Sequence, residues 1–214
     1  MVSMNAADYQ RTLERGIFYR INLPIKKPGA YQLRTAVRDQ ATNKVGAANQ
    51  FIEVPDLKKV PLALSGIMLR GVNAPSVEQP EPTTAGENAA QHGEGRVEES
   101  DAQANAVVRR FRAGQVIEYG YLIYNAGLER VTRRPQLETQ LRLYRDGQKV
   151  YEGRSLPMET ANQADVGRLV AGGTMRLGSV LVPGDYDLQV IIRDLANKEK
   201  PRLVTQWIDF EIIK

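Results

Sequence analysis

Pro183-Gly184-Asp185-Tyr186-Asp187-Leu188-Gln189-Val190-Ile191-Ile192-Arg193-Asp194 is the stretch that decides the fold, because it occurs twice. Pro28-Gly29-Ala30-Tyr31-Gln32-Leu33-Arg34-Thr35-Ala36-Val37-Arg38-Asp39 is its earlier copy in outline. Each copy opens on Pro-Gly, which sets a turn, and continues with apolar residues alternating with polar ones, the period of a strand. Tyr186, Leu188, Val190 and Ile192 would share one face, with Asp187, Gln189 and Arg193 on the other and Ile191 the exception. Tyr31, Leu33 and Val37 hold the matching face of the first copy, with Thr35 a polar intruder.

The flanks repeat as well. Gln50-Phe51-Ile52-Glu53-Val54 aligns with Gln206-Trp207-Ile208-Asp209-Phe210 if the intervening loop differs by one residue. Strand-like runs precede both copies, Ile17 to Ile25 and Thr174 to Val182, so the repeated unit reads as three consecutive antiparallel strands. A turn followed by Tyr at the head of a strand, with an apolar residue two places on, is the pattern of the tyrosine corner in immunoglobulin-like sandwiches. Tyr31 and Tyr186 are therefore expected as structural corners. The fold class expected is all-β, an immunoglobulin-like or fibronectin III-like β-sandwich, with one partial unit followed by one complete unit.

Residues 1–56 supply only three or four strands, too few to close two sheets, and read as the C-terminal strands of a partial sandwich. Residues 57–214 offer seven or eight, enough for a complete one. Its expected strands include a first one carrying Leu62, Leu64 and Ile67 or Met68. Val116 to Asn125 follows, apolar on both faces as a central strand would be. A hairpin over Leu137 to Tyr151 turns at Asp146-Gly147. Residues 153–166 read as loop, and one or two strands in 167–182 are separated by Gly172-Gly173.

Between them, residues 71–105 lose every aromatic residue and hold one Arg against seven acids, while the rest of the chain carries 28 basic residues against 18 acidic ones. Such a composition reads as a mobile acidic loop. The chain has no cysteine, which excludes disulfides, thiolate metal sites and a cysteine nucleophile. Met1-Val2-Ser3-Met4-Asn5 carries no signal peptide, and no apolar run approaches the roughly 20 residues that span a bilayer.

Phe51-Ile52-Glu53-Val54-Pro55-Asp56-Leu57, Val116 to Ala126, Tyr144 to Gly153 and Pro28 to Asp39 together resemble the C-terminal region of the von Willebrand factor A-related domain proteins known from acidobacteria. The resemblance runs from about Tyr9 to the end, apart from the polar loop. It implies a secretion signal and an A-type domain upstream, β-rich modules here, and a secreted, cell-surface or periplasmic setting for the full-length protein. The family's A-type domain binds a divalent cation through Asp-x-Ser-x-Ser. That motif is missing from this sequence, so no metal residue carries over.

Little else points to chemistry. His92, the only histidine, lies in the polar segment, whereas a triad or a zinc site needs imidazoles held rigidly. Asp185 and Asp187 share a strand face and could be weighed as paired carboxylates, but turn and solvated-face roles suit them better. Calcium at Asp39 or Asp194 lacks an Asp-rich spacing. Gly172-Gly173 is not followed by Lys-Ser/Thr and makes no phosphate loop. Arg109, Arg110 and Arg112, with Arg130, Arg133 and Arg134, are split by strand alternation, so nucleic acid is not expected as a partner. Tyr119, Tyr121 and Trp207 form an aromatic set that is either a glycan- or peptide-binding surface or packing between modules. The expectation is a non-catalytic structural or interaction module with no cofactor, no metal and no membrane span. Its partner would be an upstream A-type domain or another protein. A glycan- or peptide-binding module is the alternative, and a hydrolase would need two buried, facing carboxylates.

Overall fold

A computed structural model describes residues 23–72, 108–197 and 200–214. The expected strand from Ile17 to Ile25 lies mostly outside these residues, as do His92 and the polar segment beyond Val72 up to Val107. The described chain is all-β, as expected: twelve strands form a two-stranded, a four-stranded and a six-stranded sheet.

The two-stranded sheet is the hairpin of β1 (Gly29–Arg38) and β2 (Val45–Val54). The connection opens with Asp39, whose carboxylate accepts from the Ala41 amide and the Thr42 hydroxyl, closing the turn locally. The four-stranded sheet runs β10 (Arg168–Arg176), β6 (Val116–Tyr124), then β3 (Ala63–Leu64) and β4 (Met68–Val72) end to end along the far edge of β6. The six-stranded sheet runs β5 (Arg110–Arg112), β12 (Arg202–Ile213), β11 (Gly184–Asp194) and β7 (Leu137–Arg145). The short strands β8 (Gln148–Glu152) and β9 (Leu156–Pro157) both pair with β7. All pairs are antiparallel except β5 with β12, which is parallel.

The four- and six-stranded sheets share one core. Ile117, Tyr119, Tyr121 and Ile123 of β6 and Leu169 and Ala171 of β10 belong to the same buried cluster as Leu143, Tyr186, Leu188, Val190, Ile192, Phe210 and Ile212. Strict alternation places them: every second residue of β6 is buried. Leu62, Ile67 and Leu69 join this core while Met68 points outward, which decides the register left open between Ile67 and Met68. Asp146-Gly147 forms the expected two-residue hairpin turn, both residues at positive φ (50° and 73°) as the right-handed strand twist requires.

Three expectations change. The repeat is not three adjacent strands, because β10 lies in the sheet opposite β11 and the chain crosses the core between them. The alignment of the last strand shifts by two residues. Tyr31 faces Ile52 whereas Tyr186 faces Phe210, so the second connection is three residues longer, not one. A shift of two preserves which face each residue occupies, so alternation alone could not detect it. Finally, Gly172-Gly173 does not separate two strands but sits inside β10. A Cβ on Gly172 would stand 2.3 Å from the Tyr119 carbonyl oxygen and 3.0 Å from the Gly120 Cα. Gly172→Ala is therefore expected to lower unfolding free energy by about 3 kcal/mol, because backbone must move to admit it. Gly46→Ala, with nothing within 4 Å of its added carbon, should be silent in the same urea titration.

Candidate functional site

Both corner tyrosines make the hydroxyl-to-backbone bond expected of them. The Tyr31 hydroxyl donates to the Lys27 carbonyl at 2.7 Å, and the Tyr186 hydroxyl to the Val182 carbonyl at 2.9 Å, each four residues upstream. Their surroundings differ. Tyr186 is buried, stacked on Phe210 at 5.7 Å, and Arg145 lies over its ring at 5.6 Å while bonding the Pro183 carbonyl. Tyr31 is half-buried, on a face with Leu33, Val37, Ile52 and Val54 that no described strand covers. Val37 is 76% exposed; Ile192, at the matching place in the second copy, is fully buried.

Tyr119 and Tyr121 correct the aromatic-surface expectation. Both point inward from β6 and are 9% and 5% exposed, their rings stacked at 6.4 Å. The Tyr121 hydroxyl meets the Thr139 hydroxyl of the opposite sheet, and burial pushes its pKa up to about 12. They are core residues; their spacing matched a surface stripe only because an inner and an outer face share the same period. Trp207 alone of the three is accessible, 47% exposed on the outer face of β12. There it leans on Tyr144 at 5.1 Å, and the Tyr144 hydroxyl reaches Gln189.

Beside Trp207 lies a group that sequence reading did not assemble. Asp187 stands directly opposite Asp209, and Asp185 directly opposite Glu211, across β11 and β12. Like charges placed so repel. Two arginines offset half of this. Arg109 donates to the Asp209 carboxylate at 2.9 Å and to its carbonyl, and Arg110 to Glu211 at 2.6 Å. Neighbouring residues should face opposite ways, yet Arg109 takes a left-handed φ of 54°, and both guanidiniums reach the outer-face acids. The carboxylates of Asp185 and Asp187 make no hydrogen bond or ion pair with any described residue. A shallow groove of about 430 Å³ runs here, lined by Arg110, Asp185, Asp187, Asp209 and Glu211. Only the assembled register of β11, β12 and β5 makes it visible.

The Arg109 hydrogen bond holds the Asp209 carboxyl below its ordinary value of 3.8. A carboxylate with a depressed folded pKa adds stability above the unfolded pKa and loses it as pH falls through the folded one. The Asp209 contribution should therefore be intact above about pH 4.5 and vanish on further acidification; its side chain is 76% exposed, which limits it to under about 1 kcal/mol. Asp209→Asn should remove that fraction of the acid dependence of unfolding.

The remaining candidates resolve individually. Asp194, weighed as a calcium ligand, is buried in an ion pair with Arg202 and accepts from the Gly127 and Ala196 amides. No group of three or more acidic or histidine side chains among the described residues is placed to hold a metal ion. The hydrolase reading asks for two buried facing carboxylates, and Asp194 is the one buried carboxylate among the described residues. No described helix is long and apolar enough to cross a membrane. No protein-family model matches the chain, and neither does any curated protein.

Proposed function

We propose that this chain is a non-catalytic structural and interaction module of a secreted or surface-associated bacterial protein of the von Willebrand factor A-related kind. Its hairpin β1–β2 would dock on a β-sheet of an upstream A-type domain or of another protein. One observation carries the reading. The β1–β2 hairpin has the corner bond and the apolar face of β11–β12, yet among the described residues only the second copy has a sheet laid against that face. A two-stranded hairpin alone is at best marginally stable in water, and covering its apolar face is what stabilises it. The partition of β6 and β10 into one sheet and β7, β11 and β12 into the other, with the corner where the chain crosses, supports an immunoglobulin-like sandwich.

The test is a photo-crosslinking residue at position 33 or 52, introduced in cells that make the protein. The expected adduct maps to one β-strand with alternating apolar residues, and to the same strand from both positions. Absence of any adduct above that from exposed Lys58, or adducts scattered over unrelated proteins, contradicts the proposal. The glycan- or peptide-binding alternative draws support from a separate observation, the accessible Trp207 beside the groove.

A further inference from the structure

The outer face of the six-stranded sheet presents, within a few residues, an exposed indole, a phenol and two carboxylates without partners among the described residues. Trp207 pairs in register with Gln189, and Tyr144 and Asp209 flank Asp187 on either side. We infer that this face binds an extended basic peptide segment, with alternate lysine or arginine side chains on Asp185 and Asp187 and the next one over Trp207.

Four carboxylates meet two arginines around the groove, so the patch keeps an excess of negative charge in a chain that is basic as a whole. The uncompensated pair lies on β11, directly across from the compensated pair on β12, and a cation placed there relieves the repulsion between them. A single metal ion does not suit the arrangement, since these acids are spread along strands and do not converge. Side chains two residues apart on one strand face stand roughly 6.6–7 Å apart. An extended peptide with basic residues at alternate positions carries its charges at that same interval. An indole beside the acids adds a face for an ammonium or guanidinium, which a neutral oligosaccharide would not exploit together with paired acids. The segment spanning residues 71–105 of this chain is acidic and has the wrong sign to occupy the face. This surface is distinct from the apolar face of β1–β2, so either reading can fail alone.

Trp207 is the only tryptophan, and its emission reports on this face specifically. Titration of the full chain with acetyl-Lys-Thr-Lys-Thr-Lys-Thr-Lys-amide at low salt is expected to give a saturable change in emission that weakens as salt is raised. Asp185→Asn with Asp187→Asn should weaken binding about tenfold or more, while Glu53→Gln on the hairpin leaves it unchanged. Both aspartates are exposed and have no side-chain partner among the described residues, so the double variant should fold; a circular dichroism melt no lower than that of the wild type verifies it. With the peptide fluorescently labelled, anisotropy should show weakened binding to Trp207→Ala. Equal affinity of the wild-type and double-variant chains would overturn the inference. So would an emission change produced by neutral gluco-oligosaccharides and not by the peptide, or a change that tracks self-association of the chain.

Discussion

Replacing Asp194 with Ala is expected to destabilise the sandwich by about 3 kcal/mol, near the low end of what breaking a buried charge pair costs. Asp194 is 2% exposed. One carboxylate oxygen takes the Gly127 amide at 2.7 Å and the Arg202 guanidinium, and the other takes the Ala196 amide at 3.0 Å. Arg202 in turn donates to the Pro61 carbonyl at 2.5 Å. A single side chain thus ties the β11–β12 connection to the loop after β6 and to the approach to β3. Its removal orphans two amides and leaves a guanidinium without its anion. The Arg202 side chain is 35% exposed, so water recovers part of the loss, which is why the low end applies. Asp194→Asn keeps the shape but offers a donor where an acceptor is needed, and should fall between wild type and Ala. Urea unfolding followed by circular dichroism measures both. Gly127 belongs to the same knot, since a Cβ there would stand 2.6 Å from Arg202 Nη2.

The second large effect compares the two copies at one position. Leu33 and Leu188 each lie two residues after a corner tyrosine, on the same strand face. Leu188 is fully buried, and Leu188→Ala should cost about 2–5 kcal/mol through lost transfer energy and the cavity left behind. Leu33→Ala should change the main unfolding transition by less than about 0.5 kcal/mol, because its face meets no sheet among the described residues. Identical local sequence signals with unequal costs would show that the facing layer, and not the strand or its corner, supplies the stability.

Much of this architecture was legible in the residues. Pro-Gly-x-Tyr with alternating apolar residues located both corners, and Asp146-Gly147 fixed a hairpin to the residue, because each rests on local backbone chemistry. What alternation could not deliver was anything unchanged by a shift of two. The partner of Tyr186 on β12 was misplaced by two residues for that reason. It also could not say which face of β6 is inner, and Tyr119 and Tyr121 consequently read as a possible surface. Gly172-Gly173 read as a break because glycine usually marks one, whereas here the Tyr119 carbonyl of the paired strand needs the space. The acidic groove depends on β11, β12 and the parallel β5 coming together over long sequence separations, and on a left-handed Arg109. Nothing local encodes that.

Native-state amide hydrogen exchange on the intact chain tests most directly whether the two corner hairpins differ as described. Amides from Tyr186 to Ile192 should exchange only through global unfolding, while those from Tyr31 to Val37 should exchange by local opening at a small fraction of that free energy. Equal protection in the two stretches would mean that the first hairpin is already covered within this chain, and would contradict a face left open for a partner.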